Sequence, residues 1–506
     1  TVTVRTRAHN GGIVAASNDA VALARHPWIV LVDHDDVLDP TALSVLAAAI
    51  GDHPDADVVY SDHDLLRPDG LTASPVYKPD LSPEWLRQHN YITHLVAIRR
   101  SRFDEVGGFR PGTDGAQDHD LLLRLIESGA EVLHVPEVLL HWRQSPRSVA
   151  ASTANKPEAF EAGRRVVAEH LVRCGVRAEV TAGRFPGVVR IDRRPPDPDP
   201  PLVSVVIPTR GDAGRVWGVD RTFVVEAVRS IVDNSTHRHL EFVLVIDADI
   251  PDDPPARRDS AADVVAAIRD LVPDEAGMSV RTVEYDAPFN FSAKINRGVA
   301  AAAGDLLLLL NDDTELIEPT SIERMTGLLG PPPDPASPPR HAFEQPVGAV
   351  GAKLLYADGT LQHGGHLYHG EFMHAFLGWG GDHAGPNRML AVDWECSGVT
   401  AAAMFVRRGV LDEIGGFPED LPLHFNDVDV CCSIRALGYR ILWTPHASWY
   451  HFEGRTRDRG ATMPEALSIR TSAREENVNI TEQVRGVVAA NGTRSGMVWV
   501  YSPHTT

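Results

Sequence analysis

The chain has 506 residues, of which 43% are hydrophobic and 23% charged, and its formal net charge is −21 at pH 7. This length predicts two or more domains, and the hydrophobic and charged fractions are those of an ordinary globular protein. The negative charge argues against a nucleic-acid partner, because binding to that backbone depends on Lys and Arg that neutralise phosphates.

Compartment is indicated by the cysteines and the lack of long apolar runs. The four cysteines show neither metal-type pairing nor a disulfide framework, which favours a reducing compartment. No apolar run approaches the roughly 18 residues that cross a bilayer, and no signal peptide is visible. We therefore expect a cytoplasmic protein. Because the chain starts at Thr1, without a methionine and inside a strand-like segment, we also expect it to be a fragment.

Residues 1–150 alternate strand-like and helix-like patterns, which predicts an α/β domain. The predicted elements are a strand at Val2–Val4, a helix at Ile13–Ala24, a strand at Trp28–Asp33, a helix beginning at Pro40, and a short strand at Val58–Tyr60 that ends at Ser61–Asp64.

Residues 151–201 are predicted to connect this domain to a second one. Asn155–Cys174 has a helical pattern with Pro157 in its first turn and Gly175 just past its end. A short β segment surrounds Val188, and Arg193–Pro201 is a stiff proline-rich linker. The second domain is expected at residues 202–455, followed by a tail of unknown role at 456–506.

The second domain opens with a nucleotide-binding βαβαβ order, although it lacks the G-x-G-x-x-G phosphate fingerprint. Its predicted elements are a strand at Val203–Ile207, a helix at Val224–Val232, a strand at Phe242–Ile246, a helix capped by Asn290 and closed by Gly304, and a strand at Leu306–Leu310. The run of five leucines predicts a strand that is buried on both faces.

Acidic residues follow this leucine strand, where open α/β sheets bind ligands. Asp312 and Asp313 are adjacent carboxylates that repel each other unless a cation such as Mg²⁺ or Mn²⁺ lies between them. A single Asp pair is more often an acidic turn, but the strand at Trp28 ends in the similar cluster Asp33–Asp36. The repetition favours a metal site.

Past these clusters the two halves continue in parallel. The matched segments are Arg99-Arg100 with Arg407-Arg408, Gly107–Phe109 with Gly415–Phe417, Gln117–Asp120 with Asn426–Asp429, and Val132–Pro136 with Ile441–Pro445. Such an ordered series predicts a duplicated domain and not a solenoid, whose period is far shorter.

The order of these motifs resembles family 2 glycosyltransferases with the GT-A fold, in the tandem form linked to bacterial surface polysaccharides. The most specific segments are Pro288–Ser292, Val350–Leu355 and Phe425–Asp429, and the resemblance covers nearly all of residues 1–455. It implies two tandem, doubly wound GT-A domains, of which the first is incomplete at its N-terminus.

The same resemblance implies an inverting glycosyltransferase. The donor would be a nucleotide-diphosphate sugar, and the acceptor a hydroxyl of a growing cell-surface polysaccharide or glycolipid. Peripheral association with the inner face of the cell membrane would suit a lipid-linked acceptor.

The resemblance also implies a divalent cation, which neutralises the charge of the leaving diphosphate. Asp313 matches the ligand of the family's D-x-D motif, and His451 is a further candidate ligand. Asn311 replaces the first Asp of that motif, which puts its direct contact with metal in question. The corresponding candidates in the first half are Asp33, Asp35 and His141.

A general base must take the proton of the acceptor hydroxyl. Asp427 stands at the family's base position and Asp118 at its counterpart in the first half. A helix start helps to keep such a carboxylate ionised, and the competing interpretation is a helix N-cap. The donor contacts implied by the resemblance are Thr209, Arg210, Asp247, Asn296 and Asp312.

Two departures from the family pattern stand out. The second strand usually ends in Asp-Asn-Gly-Ser, of which only the acid of Asp247 is kept. Ser433 stands where the family usually has Arg, whereas the first half keeps Arg124. The first half also lacks a counterpart of residues 203–279, so we expect donor turnover only in the second domain.

Other enzyme classes fit the sequence less well. A phosphatase of the haloacid-dehalogenase type could explain Asp33–Val37, but Asn311 is no nucleophile. A nucleotidyltransferase needs a glycine-rich loop where Pro208–Asp212 stands. A glycosidase needs two opposed carboxylates and no nucleotide half-domain. The remaining alternative is a non-catalytic glycan-binding or scaffolding module with degenerate sites, which a test of donor binding would distinguish.

Overall fold

The computed structural model describes residues 2–143, 157–193, 200–248, 259–272, 277–368 and 372–453. The chain divides into two compact units, Thr1–Phe452 and Glu453–Thr506. The predicted helix start at Asn155, the linker residues 194–199 and the tail at 456–506 lie outside the described residues, and the domain boundaries stay predictions. Among the described residues, no helix is both long and apolar enough to cross a membrane.

The first half is a mixed sheet with helices. Its strands are β1 Trp28–Leu31, β2 Val37–Leu38, β3 Val58–Leu66, β4 Thr72–Val76, β5 Val96–Arg99 and β6 Val132–Arg143. Its helices are α1 Gly12–Leu23, α2 Ala42–Asp52, α3 Pro83–Gln88, α4 Arg100–Glu105 and α5 Gln117–Glu127. The strand order is β1-β5-β3-β6-β2, with β4 paired to β3, so β1 lies at an edge.

The strand predicted at Val2–Val4 is wrong. These residues form no strand, and Val2 and Val4 are 91% and 82% exposed. The matching strand of the second half, Met278–Tyr285, pairs along its length with Leu240–Asp247. The described part of the first half has no strand equivalent to that partner, so the Val2 segment has nothing to pair with.

The end predicted for the strand at Val58–Tyr60 is also wrong, because β3 continues to Leu66. Its acidic segment lies inside the fold, with Asp62 only 1% exposed. The Asp62 carboxylate accepts a hydrogen bond from the Lys78 N–H and lies 2.9 Å from His134 Nε2. These partners offset the cost of burying the charge.

A helical connector follows the first half. It comprises α6 Pro157–Arg173 and the antiparallel strands β7 Ala178–Ala182 and β8 Val189–Arg193. The helix predicted at Asn155–Cys174 is confirmed over Pro157–Arg173, and Gly175 follows it with φ +68°. Val167, Leu171 and Ile191 are buried between the helix and the hairpin.

The second half is built on a ten-stranded sheet, and two further pairs of strands, β10 with β11 and β18 with β19, lie outside it. The strands of this half are β9 Val203–Thr209, β10 Ala213–Val216, β11 Val219–Thr222, β12 Leu240–Asp247, β13 Met278–Tyr285, β14 Leu306–Leu310, β15 Thr314–Leu316, β16 Val347–Leu355, β17 Leu361–His363, β18 His366–Tyr368, β19 Phe372–His374, β20 Trp394–Glu395, β21 Ala403–Arg407 and β22 Arg440–His451. Its helices are α7 Phe223–Asn234, α8 Ala261–Leu271, α9 Phe291–Ala301, α10 Ser321–Leu329, α11 Arg408–Ile414 and α12 Asn426–Ala436.

The main sheet runs β13-β12-β9-β14-β21-β16-β22-β15, with β17 paired to β16 and β20 to β22. Strands β13, β12, β9 and β14 are parallel, so the carboxyl ends of all four meet at one edge. Strand β14 lies between β9 and β21 and is buried at all five positions, as the leucine run predicts.

The helix before β14 ends differently from the prediction. Asn290 caps α9 as expected, since its side chain accepts a hydrogen bond from Ala293 N at 2.9 Å. Gly304 does not close the helix, because α9 ends at Ala301. Gly304 instead permits a close approach of two segments: a Cβ atom there would lie 2.9 Å from Leu202 O.

The duplication predicted from sequence extends to matching hydrogen bonds. Asn18 accepts a hydrogen bond from Phe109 N at 3.0 Å and donates one to Phe109 O at 2.8 Å. Asn296 binds Phe417 in the same way, at 2.8 and 2.9 Å. Asn18 lies on α1, which precedes β1, and Asn296 lies on α9, which precedes β14; each holds the turn after a Gly-Gly pair.

A buried ionic network joins the two halves. Glu84 on α3 lies 2.6 Å from Arg87 and 3.4 Å from Arg440 on β22, and it also pairs with Arg193 on β8. Arg440 in turn pairs with Glu395 at 2.7 Å. Burial alone would raise the pKa of Glu84, but the charges of Arg193, Arg87 and Arg440 hold that pKa below its usual range. Glu84 therefore stays ionised in the interior.

Candidate active site

The candidate site lies where the parallel strands of the second half end. Thr209, the last residue of β9, donates a hydrogen bond from its hydroxyl to Asp312 Oδ2 at 2.7 Å. The same hydroxyl accepts a hydrogen bond from Gly211 N at 3.0 Å. The end of the first strand is thereby attached to the acidic cluster that follows β14.

Asp247 ends β12 and faces two basic side chains. Arg210 Nε lies 3.7 Å from Asp247 Oδ2, and Lys294 Nζ lies 2.7 Å from Asp247 Oδ1. Lys294 also donates to Thr209 O at 2.8 Å, and its side chain is 1% exposed. Burial lowers the pKa of Lys294, and the nearby Asp247 charge opposes that shift.

The sequence reasoning did not identify Lys294. The available signal was a lysine between Ala293 and Ile295, four residues after the cap Asn290 and thus on the face of α9 that packs against the sheet. A lysine buried on a packed helix face needs an acidic partner, and Asp247 is that partner.

Asp312 and Asp313 are adjacent carboxylates in a partly buried setting. Burial, followed by the charge of Asp313, raises the pKa of Asp312 to about 7. The two acids therefore do not both ionise easily at neutral pH without a neighbouring positive charge. This fits the divalent cation that the sequence predicts.

Asp313 lies beside His451, the other candidate ligand named from the sequence. Oδ1 of Asp313 lies 3.2 Å from Nε2 of His451, and Asn311 Nδ2 lies 3.2 Å from the same nitrogen. On its other side, His451 Nδ1 lies 2.6 Å from Gln362 Oε1. Because an amide oxygen can only accept, this contact places the proton on Nδ1 and directs the Nε2 lone pair towards Asp313.

Gln362 is a second residue that the sequence reasoning missed. A histidine that binds a metal usually donates its other ring N–H to a fixed acceptor, and Gln362 occupies that position. It is 3% exposed. A buried glutamine in the short segment Leu361–His363 was the signal, but its partner lies at the far end of the domain.

Asp427 lies in the first turn of α12. Its Oδ1 accepts a hydrogen bond from Val428 N at 2.9 Å, and its Oδ2 from Ala401 N at 3.4 Å. The N-cap position belongs to Phe425, whose φ is +63° and whose side chain makes no capping hydrogen bond. The structure thus puts Asp427 inside the helix and not at its N-cap.

The side chain of Asn296 is occupied by hydrogen bonds to the backbone of Phe417. Its amide oxygen accepts from Phe417 N and its amide nitrogen donates to Phe417 O. Both ends of the side chain hold the protein's own backbone. The predicted donor contact of Asn296 would require one of these hydrogen bonds to open.

The first half arranges its predicted site residues differently. His141 Nδ1 lies 2.6 Å from Asp64, a residue of the extended strand β3, whereas Asp33 is exposed and Asp35 is half-buried. Asp33 lies instead in a group with Asp36 and His94, whose ligand atoms are within 4.8 Å of one another. The structure therefore does not bring together the predicted set of Asp33, Asp35 and His141.

Asp118 reproduces the setting of Asp427 in part. Its Oδ1 accepts from His119 N at 2.9 Å, and its Oδ2 accepts from Asn90 Nδ2 at 3.1 Å.

Arg124, which the first half keeps, pairs with Asp120 at 2.7 Å and donates to the carbonyl of Gly108 at 2.7 Å. The arginine thus supports the local fold, and Ser433 of the second half lacks those contacts.

The fold and the matched halves define a tandem pair of GT-A domains, of which the first is short. Residues 1–107 match the family described as Glycosyl transferase family 2, and residues 200–476 match Glycosyltransferase like family 2. The second match spans more than half of the chain. The chain therefore belongs to the family 2 glycosyltransferases.

Two curated relatives match along most of the chain. An uncharacterized protein of Sinorhizobium fredii is 37% identical over 463 residues, which are 90% of this chain and 47% of that protein. The O-antigen biosynthesis protein RfbC of Myxococcus xanthus is 30% identical over 472 residues, which are 92% of this chain and 34% of that protein. The chain spans less than half the length of each relative.

Solved structures are similar at a lower level. The mannosyltransferase PcManGT from Pyrobaculum calidifontis, in complex with GDP-Man and Mn²⁺, has a TM-score of 0.34 and 17% identity, covering 52% of this chain and 61% of its own. GalNAc-T7 with UDP, GalNAc and Mn²⁺ has a TM-score of 0.36 and 13% identity, covering 54% of this chain and 48% of its own.

Proposed function

We propose that the second half of the chain is an inverting, metal-dependent glycosyltransferase that uses a nucleotide-diphosphate sugar. The observation that supports this most directly is the approach of Asp313 to His451 at the carboxyl edge of the parallel strands. Ligands bind at this edge in open α/β sheets. A carboxylate and an imidazole there, with Asn311 beside them, form a ligand set for a divalent cation.

Asp313 and His451 would hold Mg²⁺ or Mn²⁺, which neutralises the charge that develops on the leaving diphosphate. Gln362 keeps the His451 ring oriented through Nδ1. Asp312, held by the Thr209 hydroxyl, adds negative charge beside this position once it ionises. The pKa of Asp312 is raised when no metal is bound, so a cation beside it would stabilise the ionised form and gain a second carboxylate neighbour.

The donor nucleotide would lie across the ends of β9 and β12. Thr209 ends the first of these strands and Arg210 follows it directly, and Asp247 ends the second. Lys294 connects both strands, because it donates to Thr209 O and pairs with Asp247. We assign Asp247 and Arg210 to donor contacts and Lys294 to positioning the Asp247 carboxylate.

Asp427 is the proposed general base. Inversion by a single displacement needs one carboxylate on the acceptor side to take the hydroxyl proton. The N–H of Val428 and the N-terminal turn of α12 both direct partial positive charge towards this carboxylate. Its second oxygen receives only a long contact of 3.4 Å from Ala401 N, so an acceptor hydroxyl can displace that contact at low cost.

The acceptor class is inferred from the relatives. One relative, which matches 92% of this chain, is an O-antigen biosynthesis protein, and a chondroitin synthase of Pasteurella multocida is 31% identical over 121 residues, 24% of this chain. These names support a saccharide acceptor in a surface polysaccharide or glycolipid. A lipid-linked acceptor would bring the chain to the cytoplasmic face of the cell membrane.

The test is a screen of nucleotide-diphosphate sugars, scored by release of the nucleotide with added Mg²⁺ or Mn²⁺ and with chelator. At least one donor should be turned over in a metal-dependent way by the intact chain. Asp412→Ala, an exposed acid on α11, is the matched control and should turn over that donor normally. Glycan binding without binding of any nucleotide sugar would instead favour the non-catalytic module.

A further inference from the structure

Three histidines from neighbouring strands form a cluster beside the candidate site. They are His363 of β17, His366 of β18 and His374 of β19, and their ligand atoms all lie within 4.8 Å of one another. His366 and His374 are direct register partners in the hairpin of β18 and β19. His363 is fully buried and His366 is 4% exposed, whereas His374 is exposed.

The buried members of this cluster are neutral imidazoles. Burial, followed by the charge of His374, lowers the pKa of His366 to about 3. Burial and the neighbouring histidines also lower the pKa of His363 well below its usual value. Neutral imidazole is the form that binds metals, so these two rings need no deprotonation at neutral pH.

The contacts within the cluster are those of rings that face a common point. Nδ1 of His363 and Nδ1 of His374 are 2.9 Å apart. Two neutral nitrogens at this distance must share one proton. On the other ring, Nδ1 of His366 lies 3.4 Å from the Tyr368 hydroxyl, which can accept its N–H and leave Nε2 as the ligand atom.

We propose that His363, His366 and His374 bind one transition-metal ion of the Zn²⁺ class, through one ring nitrogen each and with a fourth position open to water. Imidazole suits Zn²⁺, Ni²⁺, Cu²⁺ and Fe²⁺, whereas Mg²⁺ prefers oxygen ligands. Zn–N distances of about 2.0–2.1 Å place tetrahedral nitrogens roughly 3.3 Å apart. The rings must therefore rotate enough to move their ligand nitrogens by on the order of 1 Å. The exposed ring of His374 allows this movement.

Protons balance in this step by a change of tautomer. Binding through Nδ1 of His363 moves the shared proton to Nε2 of the same ring. That nitrogen receives the N–H of Thr400 at 3.4 Å, a contact near the limit of hydrogen bonding. Loss of this hydrogen bond from Thr400 costs little compared with the gain of three metal–nitrogen bonds.

This metal site is separate from the proposed donor cation. Gln362 and His363 are successive residues of β17 and point to opposite faces of that strand. Gln362 reaches His451, and His363 reaches His374. The metal would act instead on the acceptor side, because Ala401, next to Thr400, donates its N–H to the proposed base Asp427.

The same hairpin touches the segment that precedes Asp427. The ring of Phe372 on β19 lies 5.6 Å from the ring of Phe425, centroid to centroid. An ion held by His374 and His366 would fasten the hairpin to β17. It would thereby fix the Phe372 and Phe425 rings, both about half exposed, as one apolar surface beside the base.

The test uses the intact chain, stripped with chelator and titrated with Co²⁺ alone, without nucleotide or sugar. We expect about one equivalent of bound Co²⁺ with the visible absorption of nitrogen-ligated, four-coordinate cobalt, displaced by Zn²⁺. His374→Gln, which changes an exposed ring, and His366→Gln should both lose the signal. His383→Gln, an exposed histidine outside the cluster, is the matched control and should keep it.

Asp313→Ala separates the two sites and should also keep the signal. Zn²⁺ should raise the melting temperature of the wild type and of Asp313→Ala, but not of His374→Gln. No binding of Co²⁺ or Zn²⁺ near stoichiometric concentration would overturn the proposal. Binding that survives His374→Gln and disappears in Asp313→Ala would assign the ion to the donor site and would also overturn it. Neither result depends on glycosyltransferase activity.

Discussion

Nε2 of His451 lies 3.2 Å from Oδ1 of Asp313. Strand pairing produces this approach, because β15 runs antiparallel to β22 and places Thr314 opposite His451. The backbone fastens the same point, since Phe452 N donates to Asp313 O at 2.9 Å. The proposed metal ligands are therefore positioned by the main sheet, which holds side chains more firmly than a loop does.

Gln362 should increase the affinity of Asp313 and His451 for metal. Gln362→Leu removes the acceptor that fixes the His451 ring, and loss of such a partner typically costs about 10–100-fold in metal affinity. We expect the Mn²⁺ concentration for half-maximal donor turnover to rise by that factor, with the fold retained. An unchanged metal requirement would show that His451 is not held as a ligand through Nδ1.

Asp427→Asn should separate chemistry from binding. It preserves shape and the hydrogen bond from Val428 N but removes the base, so transfer should fall by about 10²–10⁴-fold. Donor affinity, measured by calorimetry, should change little, and Asp412→Asn serves as the exposed control. Loss of donor binding with a normal transfer rate at saturation would exclude Asp427 as the base.

Asp312 makes the metal-free protein sensitive to pH. Its pKa is about 7 in the fold, whereas the ordinary value is 3.8, so the native state binds the extra proton between these values. Unfolding then becomes easier as pH rises through that window. With chelator present, Asp312→Asn should be more stable than the wild type at pH 8, by about 1–2 kcal/mol, since partial exposure weakens the effect.

At about pH 3 and below, the same two proteins should have nearly equal free energies of unfolding, because Asp312 is then protonated in both the folded and the unfolded state. Urea unfolding at both pH values measures the difference. A wild type that equals or exceeds the variant in stability at pH 8, with no metal present, would contradict the proposed strain between Asp312 and Asp313.

The buried network around Glu84 should dominate the stability of the contact between the halves. Glu84→Ala leaves Arg87, Arg193 and Arg440 without their shared carboxylate, and breaking a buried pair costs roughly 3–5 kcal/mol. Glu105→Ala removes an exposed partner of Arg102 and should cost less than about 1 kcal/mol. Denaturant unfolding of the two variants makes the comparison, and equal small losses would contradict it.

Sequence patterns predicted the parts of the fold that depend on local order. The leucine run of β14, the cap at Asn290 and the matched Gly-Gly turns follow from neighbours in sequence. Val2–Val4 failed because a strand also needs a partner, which no local pattern supplies. The extent of β3 was missed for a related reason, since Asp62 is made tolerable inside the strand by Lys78 and His134.

The candidate site was predictable where its residues end strands. Asp313, Asp247 and Thr209 could be placed because parallel strands end at a common edge. Lys294 and Gln362 could not, since their partners lie on other elements and the signal was only a polar residue in apolar surroundings. The approach of Asp64 to His141 was missed in the same way, because it depends on where β3 ends.

The halves differ in what surrounds their acidic clusters. Strand β14 is flanked by β9, whose end carries Thr209, whereas β1 lies at the edge of its sheet. A donor that is bound only through its diphosphate and cation, with no residues that contact its base and ribose, loses much of its binding energy and is poorly positioned. We therefore expect donor turnover by this chain to depend on the second half alone.

The most direct measurement compares Asp35→Ala with Asp313→Ala in the intact chain, with the same nucleotide sugar and Mn²⁺. Asp35→Ala should keep wild-type turnover. Asp313→Ala should lose about 10²-fold or more, which corresponds to at least about 2.7 kcal/mol of charge stabilisation, while its circular dichroism and melting temperature stay close to those of the wild type. Loss of turnover in Asp35→Ala with survival in Asp313→Ala would contradict the account.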